Sequence, residues 1–224
     1  MTRTKLADRK LPDYTKAEEI FNMVSHIVGA VFGVVALVLS VIVAANNGNP
    51  YNIVSAAVFG AFMITLYTVS SIYHGLAPRL LGKKVFQIID HCTIFFLIAG
   101  TYTPIVLVAF REYSTWIGWT LFGIIYATAI VGATLNAIDL KRYSKLSLIC
   151  YLAMGWSVVF TAPILPKVLN EHELFCLIFG GVLYTIGAVL YALGKKKRFA
   201  HSVFHIFVVG GSVFHWLSIM SIVK

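Results

Sequence analysis

Charged residues are scarce in this chain of 224 residues. Asp, Glu, Lys and Arg together make up 12% of it, whereas soluble domains carry roughly a quarter. Hydrophobic residues make up 59% of the sequence, so the polar groups are too few to cover a water-soluble globule. The scarcity of charge therefore excludes an ordinary soluble domain and predicts an integral membrane protein.

Cysteine is also scarce, with three residues in all. An odd number without thiolate spacing excludes a disulfide framework and a cysteine metal cluster, so we interpret Cys92, Cys150 and Cys176 as small buried apolar residues. The segment Met1–Glu19 lacks an apolar stretch followed by a cleavage site. We expect no removable signal peptide there, and we expect the first span to act as an uncleaved anchor.

What the chain has in abundance is long apolar runs, each near the roughly 20 residues that a helix needs to cross hydrocarbon. We predict seven spans: Ile20–Ala45, Asn52–Gly75, Val85–Ala109, Thr115–Asn136, Leu146–Leu165, His172–Leu193 and Phe199–Ile222. The predicted fold is an all-α integral membrane protein, a seven-transmembrane helix bundle. Residues 1–19 would form a polar tail and residues 20–224 a single transmembrane domain.

The net charge of +9 follows from an uneven distribution of Lys and Arg. Fifteen of the 18 lie in the tail and in the second, fourth and sixth loops; the other three are Arg111, Lys167 and Lys224. Cytoplasmic loops collect basic residues, so we predict a multi-pass protein of the cell membrane with a cytoplasmic amino terminus and an external carboxyl terminus. The expected partner of this charge is the anionic lipid of the inner leaflet, not nucleic acid.

This topology places four ionisable residues at one membrane depth. His201 and His205 open the seventh helix four residues apart, so they share a face about 6 Å apart along the axis. His74 ends the second helix, with Ser70 one turn before it, and Asp90 lies near the start of the third. All of them would lie near the cytoplasmic interface.

Three imidazoles and a carboxylate at one depth are typical of a Zn²⁺ site, and a catalytic zinc keeps three protein ligands and an open position. Ionisable groups within spans are costly and tend to mark function. Taken singly, each residue has a simpler interpretation. A His at a helix end often extends its ring to the interface, and Asp90 could cap a helix or pair with Lys83 or Lys84.

A further polar group lies on the first helix, where Glu19, Asn22 and His26 share one face at the same end of the bundle. Glu19 could cap the helix and Asn22 could bond a neighbouring helix. Glu19, Asn22 and His26 could instead lie behind the metal ligands and orient them. We rank His26 below His74, His201 and His205 as a direct ligand.

Other features favour a structural interpretation. His215 lies about 21 Å beyond His201 along the axis, too far to share its metal, and His91 is expected at the interface. The pairs Gly180–Gly181 and Gly210–Gly211 would permit close helix contact.

Several motifs together resemble the hemolysin III family, the bacterial branch of the progestin and adipoQ receptor group. They are Glu19-x-x-Asn22-x-x-x-His26, Ser70-x-x-x-His74, Asp90 followed by AGTYTP, and His201-x-x-x-His205. The resemblance spans nearly the whole chain and extends to the alkaline ceramidases, within a superfamily of seven-helix membrane hydrolases. It implies zinc held by His74, His201 and His205, with Asp90 contacting the metal or its water and Ser70 close by.

The expected chemistry is hydrolysis of a lipid amide or ester at the cytoplasmic leaflet. Zinc lowers the pKa of water and polarises a carbonyl, Asp90 would act as general base, and Ser70 would bond the developing oxyanion. Two alternatives stay open. The protein could be a non-catalytic receptor, sensor or regulator of membrane lipid state with a closed structural zinc, or a pore-forming hemolysin, for which the spans offer no charged lumen.

Overall fold

The computed structural model of the chain describes residues 4–194 and 197–224, and within these ranges all regular secondary structure is helical. The elements in chain order are α1 Lys16–Asn47, α2 Pro50–Gly75, α3 Leu81–Pro104, a π-helix Ile105–Phe110, α4 Arg111–Tyr113, α5 Thr115–Gly155, a 3-10 helix Ser157–Thr161, α6 Leu165–Val168, α7 Glu171–Gly194 and α8 Ala200–Ile222. The first three residues of the predicted tail and the basic residues Lys195 and Lys196 lie outside the described ranges.

Six helical segments of the described chain are long and apolar enough to cross a membrane. Their outward faces carry large apolar side chains such as Val31, Val131 and Val189, each more than half exposed. Continuous apolar surface of this kind would be unstable in water and suits contact with lipid. An all-helical integral membrane protein is therefore confirmed.

The first helix begins at Lys16, four residues before the predicted start at Ile20. The Thr15 hydroxyl accepts a hydrogen bond from the Glu18 backbone N–H, and the Glu18 carboxylate accepts one from the Thr15 N–H. This reciprocal capping box satisfies two donors at the helix start. Glu18 also accepts a 2.7 Å hydrogen bond from the backbone N–H of Phe199, which precedes α8. The amino-terminal ends of α1 and α8 are therefore joined.

A bend interrupts α5 at Asp139, whose backbone is not helical (φ −156°, ψ 93°). Its carboxylate accepts hydrogen bonds from the backbone N–H groups of Arg142 and Thr4. The first of these caps the helix that follows. The bend separates the two helices that were predicted as Thr115–Asn136 and Leu146–Leu165.

The second of those predicted helices ends early, because α5 stops at Gly155 and a 3-10 helix follows. The Tyr102 hydroxyl explains the change. It donates to the carbonyl of Gly155 and accepts from the backbone N–H of Val158, at 2.8 and 2.9 Å. A side chain of α3 thus satisfies backbone groups that an uninterrupted α-helix would pair internally.

Glycines allow the helices to approach closely. A Cβ atom at Gly29 of α1 would lie 2.8 Å from the Tyr67 ring of α2, and one at Gly132 of α5 would lie 2.2 Å from the Phe95 ring of α3. Both rings are fully buried. Small residues at such crossings are typical of membrane bundles, where association depends on close packing.

We predict opposite effects for two glycine substitutions in α5. Gly132→Ala should destabilise the protein by about 1–3 kcal/mol, because the buried Phe95 ring has to move. Gly123→Ala is the matched control. Its added Cβ meets no atom within 4 Å, so it should be neutral or stabilising by up to about 1 kcal/mol. Thermal unfolding in detergent measures both, and equal stability of the two variants would contradict the close contact.

Candidate metal centre

Three histidines from two helices converge at one end of the bundle. His74 lies in the last turn of α2, and His201 and His205 lie in the first two turns of α8. Each offers one ring nitrogen, and the three nitrogens lie within 4.8 Å of one another. Imidazoles from separate helices at such distances can hold a metal ion, and these are the three residues that the sequence predicted as its ligands.

The orientation of His74 is fixed by Glu19 of α1. Glu19 Oε2 lies 2.6 Å from Nδ1 of His74, and since a carboxylate accepts, Nδ1 carries the hydrogen. In a neutral imidazole the other nitrogen, Nε2, is then a bare acceptor. That Nε2 is buried and has no hydrogen-bond partner among the described residues. A carboxylate on one nitrogen and a free lone pair on the other is the usual arrangement of a metal-binding histidine.

Glu19 is held in turn by Lys83 of α3, whose Nζ lies 2.8 Å from Glu19 Oε1. Lys83 is almost fully buried. It also donates to the backbone carbonyls of Tyr73 and Leu76, each at 3.0 Å, at the carboxyl end of α2. A cation at this end is favoured by the helix dipole. From the sequence, Lys83 could have paired with Asp90; in the structure it forms an ion pair with Glu19.

His205 is positioned by the backbone of α1. Its Nδ1 lies 3.2 Å from the carbonyl oxygen of Asn22, so Nδ1 donates, and in the neutral ring Nε2 carries the lone pair. His205 Nε2 faces His201 Nε2 at 3.1 Å. The side chain of Asn22 lies 3.5 Å from His74 Nδ1. Asn22 therefore contacts two of the three histidines, as expected for a residue that orients ligands.

His26 stacks on His205, with ring centroids 3.7 Å apart and planes inclined by 11°. This contact fixes the plane of the His205 ring. Both ring nitrogens of His26 are buried without a hydrogen-bond partner among the described residues. His26 does not belong to the group of three mutually close ligands, which agrees with its lower rank in the sequence analysis.

Asp90 and Ser70 lie beside the histidines and interact with each other. The Ser70 side chain interacts with the Asp90 carboxylate, and both residues line the same cavity as His201 and His205. Asp90 is not part of the mutually close ligand group. Its direct contact with a metal, and the catalytic roles of both residues, stay predictions.

Tyr14 is a neighbour of the triad that sequence reasoning missed. Its ring stacks on His201 at 4.9 Å with planes inclined by 20°, and lies 5.9 Å from the His74 ring. Burial raises the pKa of the Tyr14 phenol above its ordinary value, so the group stays neutral. The residue lies in the polar tail, outside any helical periodicity, and only its aromatic character in that tail could have drawn notice.

A cavity extends from His201 and His205 into the bundle. Most of its lining is apolar, with side chains such as Leu97, Ile105 and Val208. His91 also lines it, although we expected this residue at the interface. His91 Nε2 lies 3.2 Å from the Tyr191 hydroxyl, so the ring faces inward. His201 and His205 thus line a space suited to an apolar chain.

Comparisons with known proteins agree with this arrangement. The family model described as Haemolysin-III related matches residues 14–216. The chain is 36% identical to Hemolysin-3 of Bacillus cereus, over 91% of this chain and 90% of that protein. It is 37% identical to the Hemolysin-3 homolog of Bacillus subtilis (strain 168), over 89% of this chain and 91% of that protein. It is 24% identical to the human monocyte to macrophage differentiation factor, over 74% of this chain and 69% of that protein. The chain therefore belongs to the haemolysin-III-related family of multi-pass membrane proteins.

Proposed function

We propose that this protein is a zinc-dependent membrane hydrolase that cleaves an amide or ester bond of a lipid. The observation that carries the proposal is the position of the three histidines. They meet beside a largely apolar cavity that His201 and His205 line, and Asp90 and Ser70 line the same cavity. A buried polar site joined to an apolar space is the arrangement that a lipid with a reactive headgroup linkage requires.

The donor set fits zinc. Three imidazoles, two of them presenting Nε2, supply three of the four positions of a tetrahedral site and leave one open. The unpartnered Nε2 of His74 is costly in a buried site unless a cation or donor meets it. His74, His201 and His205 would hold the ion, with Asp90 as a further contact directly or through water. When bound, zinc would act as a Lewis acid and would lower the pKa of water.

The reaction places distinct demands on Asp90 and Ser70. Asp90 would accept the proton of the attacking water and return it to the leaving group. Ser70 interacts with Asp90 and would hold that carboxylate in place by donating a hydrogen bond to it. For Ser70 to serve also as oxyanion donor, as the sequence analysis expects, its O–H must change partner once Asp90 is protonated.

We also propose seven spans with the triad on the cytoplasmic side. At 1.5 Å per residue, a helix of the length of α5 would reach about 60 Å, twice the hydrocarbon thickness. The bend at Asp139 contacts Thr4, so it lies at the end of the bundle where the amino-terminal tail lies. At the opposite end, Glu173 near the start of α7 accepts from Ser221 near the end of α8. Residues 140–170 would then pass from one end to the other, which supports a seventh crossing.

The charge distribution supports the same orientation. Lys141, Arg142 and Lys145 follow the bend directly, on the side that also carries the basic tail. Basic residues collect on the cytoplasmic side. Membrane lipids of the inner leaflet would then be the partners and the source of the substrate.

One observation favours a second candidate, a non-catalytic sensor of membrane lipid state. The ring of Tyr14 stacks on His201 from the amino-terminal tail, so a structural zinc and the tail could form one closed unit whose stability responds to what fills the cavity. A cytolytic pore gains less support, because the cavity is lined mostly by apolar residues.

We predict that zinc copurifies at about one ion per chain. His74→Ala, His201→Ala and His205→Ala should each lose it, since two imidazoles hold zinc weakly. Glu19→Gln should weaken zinc affinity by about 10–100-fold, because the partner of His74 is lost. His215→Ala, on the same helix as two ligands, is the control and should keep zinc. Elemental analysis with a competing chelator measures these changes, and full zinc in all three histidine variants would refute the assignment.

The topology prediction concerns reporters fused at two positions. A reporter after Lys224 should be active only outside the cytoplasm, and one inserted after Lys141 only inside, because seven crossings put the carboxyl terminus opposite the tail. Activity of the Lys224 fusion in the cytoplasm would indicate six crossings, and the bend in α5 would then lie within the membrane.

The catalytic prediction compares variants at matched zinc content. Asp90→Asn should keep most of the metal and lose activity, since an amide cannot accept the proton. Ser70→Ala should lower the rate on the order of a hundredfold while zinc is retained. The assay is fatty acid release from ceramide or phospholipid in detergent micelles. If wild type releases nothing from a broad lipid panel, yet all three proteins restore lipid composition in cells lacking the gene, the sensor is the better account.

A further inference from the structure

His201 differs from the other two histidines of the candidate metal centre in how its ring is held. His74 and His205 each donate from Nδ1 to an oxygen atom of α1. Within the described ranges, the hydrogen-bonding contact of the His201 ring is that of its Nε2 with His205 Nε2, at 3.1 Å. This contact joins two ligands to each other and fixes neither of them against the rest of the protein. A different kind of contact has to hold His201.

Aromatic rings surround His201 and supply that contact. Tyr14 lies nearly parallel to it, with ring centroids 4.9 Å apart and planes inclined by 20°. Phe204 and Tyr191 lie at 5.3 and 5.9 Å, with their planes inclined by 40° and 55°. A stacked ring covers one face of the imidazole, so a turn of His201 about its own side-chain axis would drive it into Tyr14. Tyr14 is therefore the ring that restrains this ligand most directly.

The segment of residues 4–14, which we call the strap, carries Tyr14 to the histidines. At its carboxyl end the strap enters the capping box of α1, where Thr15 and Glu18 exchange hydrogen bonds. Pro12, two residues before Tyr14, has a fixed φ and restricts the chain on the other side. The backbone is thus restrained both before and after Tyr14.

The amino-terminal part of the strap is bonded to two further helices. The backbone N–H of Thr4 donates to Asp139 Oδ2 of α5 at 2.9 Å. The Lys84 ammonium group of α3 donates to the backbone carbonyl of Ala7. Arg9, which lies between these contacts and Tyr14 in the chain, is 7% exposed. The strap therefore runs from the bend in α5, past the start of α3, to the metal centre.

We propose that Tyr14 is a positioning residue of the metal centre. Held by the strap, its ring keeps His201 in the orientation that binds the ion and covers that side of the site against solvent. The strap then limits how fast the ion exchanges with solvent. The inference rests on the proposed zinc site and adds to it a segment from outside the predicted spans. Residues that orient metal ligands in this way have large effects on metal affinity.

The test measures how fast the full-length, zinc-loaded protein releases zinc to an excess of a chromogenic chelator in detergent. Tyr14→Ala should release zinc about 10–100-fold faster than wild type, the range typical for loss of a residue that orients a ligand. Tyr14→Phe keeps the ring and should release zinc as wild type does. Tyr113→Ala is the matched control, because Tyr113 of α4 is 48% exposed, and it should also match wild type.

Lys84→Met tests the strap at a distance from the histidines. It removes the hydrogen bond to Ala7 and should accelerate release about twofold to tenfold, as the loss of one hydrogen bond allows. Because the strap acts through Tyr14, the same change made in Tyr14→Ala should add nothing to the rate. A general loss of stability would instead add to the effect of the first substitution. Since the bond from Lys84 is exposed, Lys84→Met decides the inference even where Tyr14→Ala fails to fold.

Equal release rates of wild type and Tyr14→Ala would overturn the inference alone, and so would a Tyr14→Phe protein that releases zinc as fast as Tyr14→Ala. Release at the wild-type rate by Lys84→Met, or a fully additive effect in the double variant, would overturn the role of the strap. A wild-type protein that binds no zinc would overturn the metal site of the proposed function together with the inference.

Discussion

The contacts of the Glu19 carboxylate with Lys83 and His74 are the interactions on which the candidate metal centre depends. The carboxylate joins α1, α2 and α3 at one end of the bundle, with contacts of 2.8 Å to Lys83 and 2.6 Å to His74. Buried charges persist only where they are paired and hydrogen-bonded. Loss of Glu19 would remove the ion-pair partner of Lys83 and the acceptor of His74 Nδ1 together, and His74 would no longer be held with Nε2 toward the site. The centre is therefore a property of the packing of three helices, to which α8 adds two further ligands.

The meeting of His74, His201 and His205 could be predicted because it needs only helix directions and counts of residues. Each residue is a few positions from the end of a span, and alternating directions put those ends together. The partners of the ligands were harder to predict. Lys83 could have paired with Asp90 as well as with Glu19, and only packing decides between two carboxylates at similar depth. Tyr14 lies in a polar tail where no periodicity places a side chain.

In the fold, too, some features could be predicted from the sequence and others could not. The lengths of the apolar runs were enough to predict where α1, α2, α7 and α8 lie in the sequence. The course of residues 115–165 instead depends on contacts between residues far apart in sequence. Thr4 bonds Asp139 at the bend, and Tyr102 bonds Gly155 and Val158 where the helix changes form. Hydrogen bonds of this kind replace local ones, so no local pattern reveals them. The space that Gly180 leaves for His215 is hidden from the sequence for the same reason.

The zinc-binding role of the three histidines is tested most directly by X-ray absorption at the zinc edge on the purified protein. The account predicts a shell that includes three imidazole nitrogens at about 2.0–2.1 Å, with a fourth light-atom ligand, and a loss of one imidazole or of the zinc itself in His205→Ala. A shell without imidazole, or one dominated by sulfur at about 2.3 Å, would contradict it.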